Sequence, residues 1–387
     1  MATIDLVKIK LNGDTGGGGG STTKLEEKTI AIVSNGTQSI LPDEGFDGLS
    51  AVNLNVAISG NTSALDFSLI GYNTDLSAEI NAKYNDDIAY SKTLYDNWNP
   101  NTIGTTNVFK NDTKLVYCPN IDIINLTSMN YMFDGCNSLT TIPLLDTSNV
   151  TTMVDVFSGC SSLTTIPLLN TSNVKSMSYM FGNCSKLTSI PLLDTSNVTT
   201  MSNMFSGCAA LTTIPLLDTS NVTTMYNFFY NCKSLTTIPQ FNTSNVTTMQ
   251  SMFHNCSLLT TIPELDTSNV TIMRDIFNSC SLLTTIPLLD FGSVTNISTI
   301  FGYTNISSLT DLGGFKNLKI DWNDTYGLYR LPNLTYESVM NVINNLYDFR
   351  SNGDTTTTRT IKFNSNSKAL LSDADIAIAT NKGWIIS

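Results

Sequence analysis

Histidine occurs once, at His254, and there are three tryptophans in 387 residues. Charged side chains make up 13% of the chain, about half the share in an ordinary soluble domain (roughly 25%). One histidine excludes a multi-histidine metal site and disfavours a Ser/His/Asp hydrolase. The 20 Lys and Arg stand against 32 Asp and Glu, a net charge of −12. That balance argues against nucleic acid, whose phosphates need a basic stripe. No run approaches 18 apolar residues, so no membrane-inserting helix is expected. The opening MATIDLVKIK alternates apolar and polar residues and lacks the basic and apolar regions of a secretory signal. No nucleotide loop, zinc helix or nucleophile elbow occurs. A non-enzymatic protein without cofactor or metal is the expectation.

What is present is a repeat, and repeats decide a fold before other signals do. Pro119, Pro143, Pro167, Pro191, Pro215, Pro239, Pro263 and Pro287 recur every 24 residues. Phe133 to Phe301 and Met129 to Met273 keep the same period. Pro191–Ile214 reads PLLDTSNVTTMSNMFSGCAALTTI. A 24-residue unit cannot bury a core alone, whereas stacked copies share one. Within the unit Leu193, Val198, Met201, Met204, Phe205, Cys208, Leu211 and Ile214 follow one another at three- or four-residue steps with a wider gap at one turn. The expected fold is a leucine-rich-repeat-like solenoid of about eight coils over residues 119–310. It would be mainly β with irregular or short helical returns, and coils would lie about 4.8 Å apart.

Two repeated positions have structural readings. Asn149, Asn173, Asn197, Asn221, Asn245 and Asn269 of the TSNV turn would stack as a ladder, satisfying backbone groups of a buried turn. Cys136, Cys160, Cys184, Cys208, Cys232, Cys256 and Cys280 form one column. Zinc sites need pairs two to four residues apart, and an odd column cannot pair fully in disulfides, so a row of small buried hydrophobes is expected. The column Asp146, Asn170, Asp194, Asp218, Asn242, Asp266 and Asp290 reads as turn caps.

Repeat positions that vary are the pair after the Met and the pair between Phe and Cys. If both pairs face outward on one side, Tyr131, Tyr179, Tyr226, Tyr230, His254 and Arg274 form an aromatic and polar surface suited to sugars or protein patches.

The skeleton of MFSGCAALTTI at Met204–Ile214 resembles the BspA-type leucine-rich repeats of bacterial surface proteins. The LDTSNVTTM variant looks like the subgroup common in Mycoplasma, gut bacteria and their phages. KTIAIVSNGTQSILPDEGFDGLSAVNLNVAI at Lys28–Ile58 resembles a small β module of phage tail and fibre proteins, with Asn35-Gly36 suited to a hairpin turn. LTYESVMNVINNLYDF, TIKFN and LSDADIAIATNKGWII look like the terminal unit of phage leucine-rich-repeat proteins. The resemblance implies a virion structural protein: a tail, fibre or decoration component. It would contact other virion proteins through its N-terminal region and a host glycan or protein through the repeats. A homo-oligomer is compatible with it. The alternatives are a BspA-type adhesin on a bacterial surface and virion decoration with no receptor.

The expected organisation is an N-terminal arm and Gly-rich linker (1–27), the β module (28–59) and a helical N-cap (60–118). The N-cap helix would run over 75–98 through Leu76, Ile80, Tyr84, Ile88 and Tyr95. The repeats (119–310) and a C-terminal α/β cap (311–387) follow.

Overall fold

The structure is a computed structural model. It describes residues 5–14, 24–32 and 51–58 as backbone, and residues 109–118, 121, 123–302, 306–322 and 326–387 with their side chains. The helix expected over 75–98 and the Asn35-Gly36 turn lie outside the described residues. The chain divides into two compact units: Met1–Trp98 with Tyr117–Ile121 and Thr141–Leu145, and the remainder.

In the first unit β1 (Asp5–Asp14) pairs antiparallel with both β2 (Lys24–Ile32) and β3 (Ala51–Ile58), in the order β2-β1-β3. The residues of the expected arm (1–27) and β module (28–59) share this sheet. β1 is the middle strand of one sheet, and β2 runs across the expected boundary. The physical reason is backbone satisfaction: a strand with two open edges finds partners. Gly13 pairs with Lys24, so the Gly16–Gly20 run lies between two strands of one antiparallel pair.

The second unit holds the repeats. Each residue before the Met bridges in parallel to its equivalent 24 residues on, from Ser128↔Thr152 through Thr248↔Ile272 to Ile272↔Asn296. After that bridge the backbone turns repeatedly. Met204 N–H donates to the Met201 carbonyl at 3.1 Å, and Cys208 N–H to the Phe205 carbonyl at 3.0 Å. The alternate N–H groups reach the next coil: Asn203 to Tyr226, Phe205 to Phe228 and Gly207 to Tyr230, at 2.7–3.1 Å. Two residues in such a coil have left-handed backbone, here Asn203 (φ 59°) and Gly207 (φ 78°). An extended strand cannot continue through them. Among the described residues, the repeats before position 285 therefore contain isolated bridges and turns. The returns are the irregular ones of the two expected kinds, and the strands of the coil are short.

The eight apolar positions read from Pro191–Ile214 are buried. Met201, Met204, Phe205, Cys208 and Leu211 are fully buried, as are their equivalents in neighbouring coils. From Phe109 to Phe301 the Phe rings form a single stacked column, with centroids 5.3–6.1 Å apart and planes 3–18° from parallel. Offset stacking adds to the gain from burial. Each column Cys is buried, and its Sγ–H donates to the carbonyl of the Phe 27 residues earlier, at 2.9–3.1 Å.

Stacking continues past the expected boundary at 310. β4 (Thr285–Ile286) and β5 (Leu289–Asp290) pair in parallel with β6 (Asp311–Leu312) and β7 (Phe315–Lys316). Trp322 then packs on Phe291, Phe301 and Phe315, 4.8–6.2 Å away. α1 (Tyr336–Asn345) is N-capped by Thr335, and its Ser338 Oγ accepts from Leu312 N–H at 2.9 Å. β8 (Arg359–Ile361), α2 (Ser365–Lys368), α3 (Asp373–Asn381) and β9 (Trp384–Ile386) complete the C-terminal region, with β8 and β9 parallel.

Two measurements test this core. Phe205→Ala should cost about 3–5 kcal/mol in denaturant unfolding, and a cost near zero would remove Phe205 from the stack. Burial raises the thiols, Cys136 and Cys280 to about 12 from 9.0. A raised folded pKa contributes stability below the unfolded value that is lost as pH rises through the folded one. The unfolding midpoint should therefore fall as pH climbs above about 9. An unchanged midpoint up to about pH 10.5 would contradict the buried column.

Candidate binding face

The varying positions lie on the turns between the Met bridge and the Cys. Two backbone constraints shape them. The second residue after the Met is left-handed in every repeat from Tyr131 to Thr299, and so is the second after the Phe from Asn111 to Ser279 wherever that residue has a side chain. Asn and Asp tolerate this region best among residues with a side chain. The recurrent Asn, Gly and Ser at these places follow from that constraint. Tyr131 (φ 61°) and Tyr179 (φ 56°) depart from it.

The six predicted surface residues differ in exposure. Tyr179 and Arg274 are exposed; Tyr131, Tyr226, Tyr230 and His254 are half-buried. Tyr230 and His254 stack on successive coils, with centroids 4.7 Å apart. Burial lowers the His254 pKa, against the opposing pull of Asp275, so the ring is neutral at pH 7. Its Nδ1 is enclosed without a hydrogen-bond partner. Arg274 Nε pairs with Asp275 Oδ2 at 3.0 Å, and Asn278 Nδ2 donates to Asp275 Oδ1 at 3.1 Å. At the other end Lys110 Nζ sits 4.3 Å from the Tyr131 ring centroid and 3.0 Å from Asp134 Oδ2. Between these ends the Tyr179 hydroxyl is raised, first by burial and then by nearby Tyr226 and Asp155. Amide pairs run along the same face: Asn227 Nδ2 donates to Asn203 Oδ1 at 2.9 Å, and Asn255 Nδ2 to Asn231 Oδ1 at 2.7 Å.

The TSNV turn is organised differently from the sequence reading. Its Asn side chains are exposed. Asn173, Asn197, Asn221, Asn245 and Asn269 each donate Nδ2–H to a Ser carbonyl of the preceding coil, at 2.7–2.8 Å, and Asn149 does so to Ile124. The buried polar group is the Thr beside it. Thr147, Thr171, Thr195, Thr219, Thr243 and Thr267 donate Oγ1–H to a carbonyl of the following coil at 2.7–2.8 Å. Its strict recurrence in DTSN and NTSN was the available signal. The Asp column closes the turn. Asp146, Asp194, Asp218 and Asp266 accept from the Ser N–H two residues on at 2.9–3.0 Å. The Ser side-chain and backbone donors hold those carboxyls below the usual range. Among the described residues no group of three His, Cys, Asp or Glu is placed to hold a metal.

An exposed leucine ridge escaped sequence reasoning. Leu168, Leu192 and Leu216 are about 60% exposed beside buried Leu169, Leu193 and Leu217. The doubled Leu after each Pro was the signal, because adjacent residues on extended backbone face opposite ways. Gln240 and Glu264 interrupt the ridge and line a shallow depression of about 430 Å³ with Asn242 and Asp266.

The fold and face define a leucine-rich-repeat-like protein. Residues 103–213 and 210–311 match the family described as Mycoplasma protein of unknown function, DUF285, and together cover more than half of the chain. The chain belongs to that family. A crystal structure of the T. pallidum leucine-rich repeat protein (TpLRR) is 18% identical, covers 51% of this chain and 84% of its own, and has a TM-score of 0.32, a likeness too slight to bear on the fold. None of the curated proteins matches the sequence.

The turn's two hydrogen bonds should differ in weight. Thr195→Val removes the hydroxyl of a buried side chain and leaves the Asp218 carbonyl without its part-buried partner, and should cost about 1–3 kcal/mol. Asn197→Ala removes an exposed bond and should cost about 1 kcal/mol or less. Equilibrium unfolding of both variants checks the order, and the reverse order would contradict the burial assignment.

Proposed function

We propose that this chain is a structural protein of a phage virion whose leucine-rich-repeat solenoid presents the Met-to-Cys turns as a host-attachment face. One observation carries the binding role: within residues 123–302 every Tyr, the single His and the single Arg fall on those turns. The other outward positions are mostly Thr, Ser and Asn. Aromatics and Arg concentrate where surfaces recognise partners. The N-terminal region would contact other virion proteins, and the role is binding without catalysis. The phage assignment is supported by the resemblance of Lys28–Ile58 and of the C-terminal region to phage tail and fibre modules.

Mass spectrometry of purified virions should detect the protein, while its absence from particles would point to a bacterial surface adhesin. A phage carrying Tyr179→Asn and Tyr226→Ser should adsorb to its host at least about tenfold more slowly, the scale of losing one hot-spot contact. Unchanged adsorption would leave decoration without a receptor.

A further inference from the structure

The spacing of the rings on this face narrows the partner. Tyr131, Tyr179 and Tyr226 lie on the first, third and fifth of five successive coils. Doubling the 5.3–6.1 Å spacing of the adjoining Phe column puts them roughly 11 to 12 Å apart along the stack. An extended β-linked glycan turns over at each sugar, so the same sugar face returns once per disaccharide, a repeat of that order. The charge on the face is sparse and largely paired. Lys110 meets Asp134 and Arg274 meets Asp275, so among the described residues both cations on these turns are paired, on a chain of net charge −12. The half-buried amides of Asn227, Asn231 and Asn255 line the same turns, and amides retain donors and acceptors for hydroxyl groups.

Backbone strain points to the same residues. Tyr131 and Tyr179 hold left-handed positions where Asn203 and Asn227 stand in sister repeats, a conformation costly for a bulky side chain. Tyr179 bears this strain while 39% exposed.

We infer that the Met-to-Cys turns bind an extended, uncharged β-linked glycan lying along the stack. Sugar rings stack on Tyr179 and Tyr226, and hydroxyls meet the Asn amides. The inference rests on the attachment face proposed above and names its ligand class.

The test uses the full chain and three probes: cellohexaose and chitohexaose, which are β-linked and extended, and maltohexaose, which is α-linked and coiled. Calorimetry should show binding of at least one β-linked hexasaccharide, with maltohexaose at least about tenfold weaker. Tyr179→Asn installs the residue that sister repeats carry, so its melting temperature should be unchanged or higher. It should weaken binding about tenfold, the scale of one strong aromatic contact. Leu192→Ser, on the leucine ridge, should bind as the parent does. Failure of both β-linked probes, equal binding of maltohexaose, unchanged affinity in Tyr179→Asn or loss in Leu192→Ser would each overturn the inference. Binding of the same variants to host cells separates the two readings. If Tyr179→Asn weakens cell binding while the glycans are ignored, the attachment face stands and the ligand is another class, such as a protein. If cell binding is unchanged as well, both readings fall.

Discussion

Half of the backbone hydrogen bonds donated by a 24-residue unit go to its neighbours: in Pro191–Ile214 six N–H groups bond within the unit and six to other coils. The Phe N–H donates forward to the next coil, and the Thr199 and Thr223 N–H groups donate back to Lys175 and Thr199. The Thr and Asn of each TSNV turn repeat the arrangement with side chains, one reaching forward and the other back. A buried donor without an acceptor costs about 1–3 kcal/mol, so register is enforced at several points in every coil. The apolar columns are a consequence of this register: once the backbone repeats every 24 residues, Phe must lie on Phe and Cys under a Phe carbonyl. The core then supplies the favourable burial that offsets ordering of the chain.

The same register makes the outer surface a grid. A side chain on one turn has its equivalents directly above and below, so properties accumulate along columns. Repeated leucines make a ridge, repeated aspartates a row of capped turns, and scattered tyrosines a track along the stack. The proposed function depends on this, since no single coil offers more than one or two candidate contacts. The C-terminal region closes the stack with side chains of another kind: Trp322 covers the last Phe rings and Ser338 satisfies Leu312 N–H.

Much of this was legible in the sequence because the repeat is nearly perfect. Period and composition identified the columns of Met, Phe and Cys, and the mixed α/β character of the C-terminal region. Hydrogen-bond direction was not legible. In the six successive DTSN or NTSN turns Thr and Asn both recur, and nothing in the letters says which is buried; the chain path places Thr inward and Asn outward. The left-handed residues were legible only in part. Gly207 and Asn231 announce them, but Tyr131 and Tyr179 hide them, and these two mark the candidate site. The leucine ridge was concealed because a doubled Leu reads as core twice over. At the N-terminus, strand pairing joined what composition divided: the Gly16–Gly20 run looks like a linker, yet the strands on either side of it pair.

If coil-to-coil register is the governing constraint, a whole unit is dispensable and a fraction of one is not. Deleting Pro191–Ile214 joins Ile190 to Pro215 with every column intact. The shortened protein should unfold cooperatively, with its remaining column thiols unreactive until it does. Deleting a 12-residue stretch from the same unit should abolish cooperative unfolding. An unfolded product from the 24-residue deletion, or an equally stable one from the 12-residue deletion, would contradict the account.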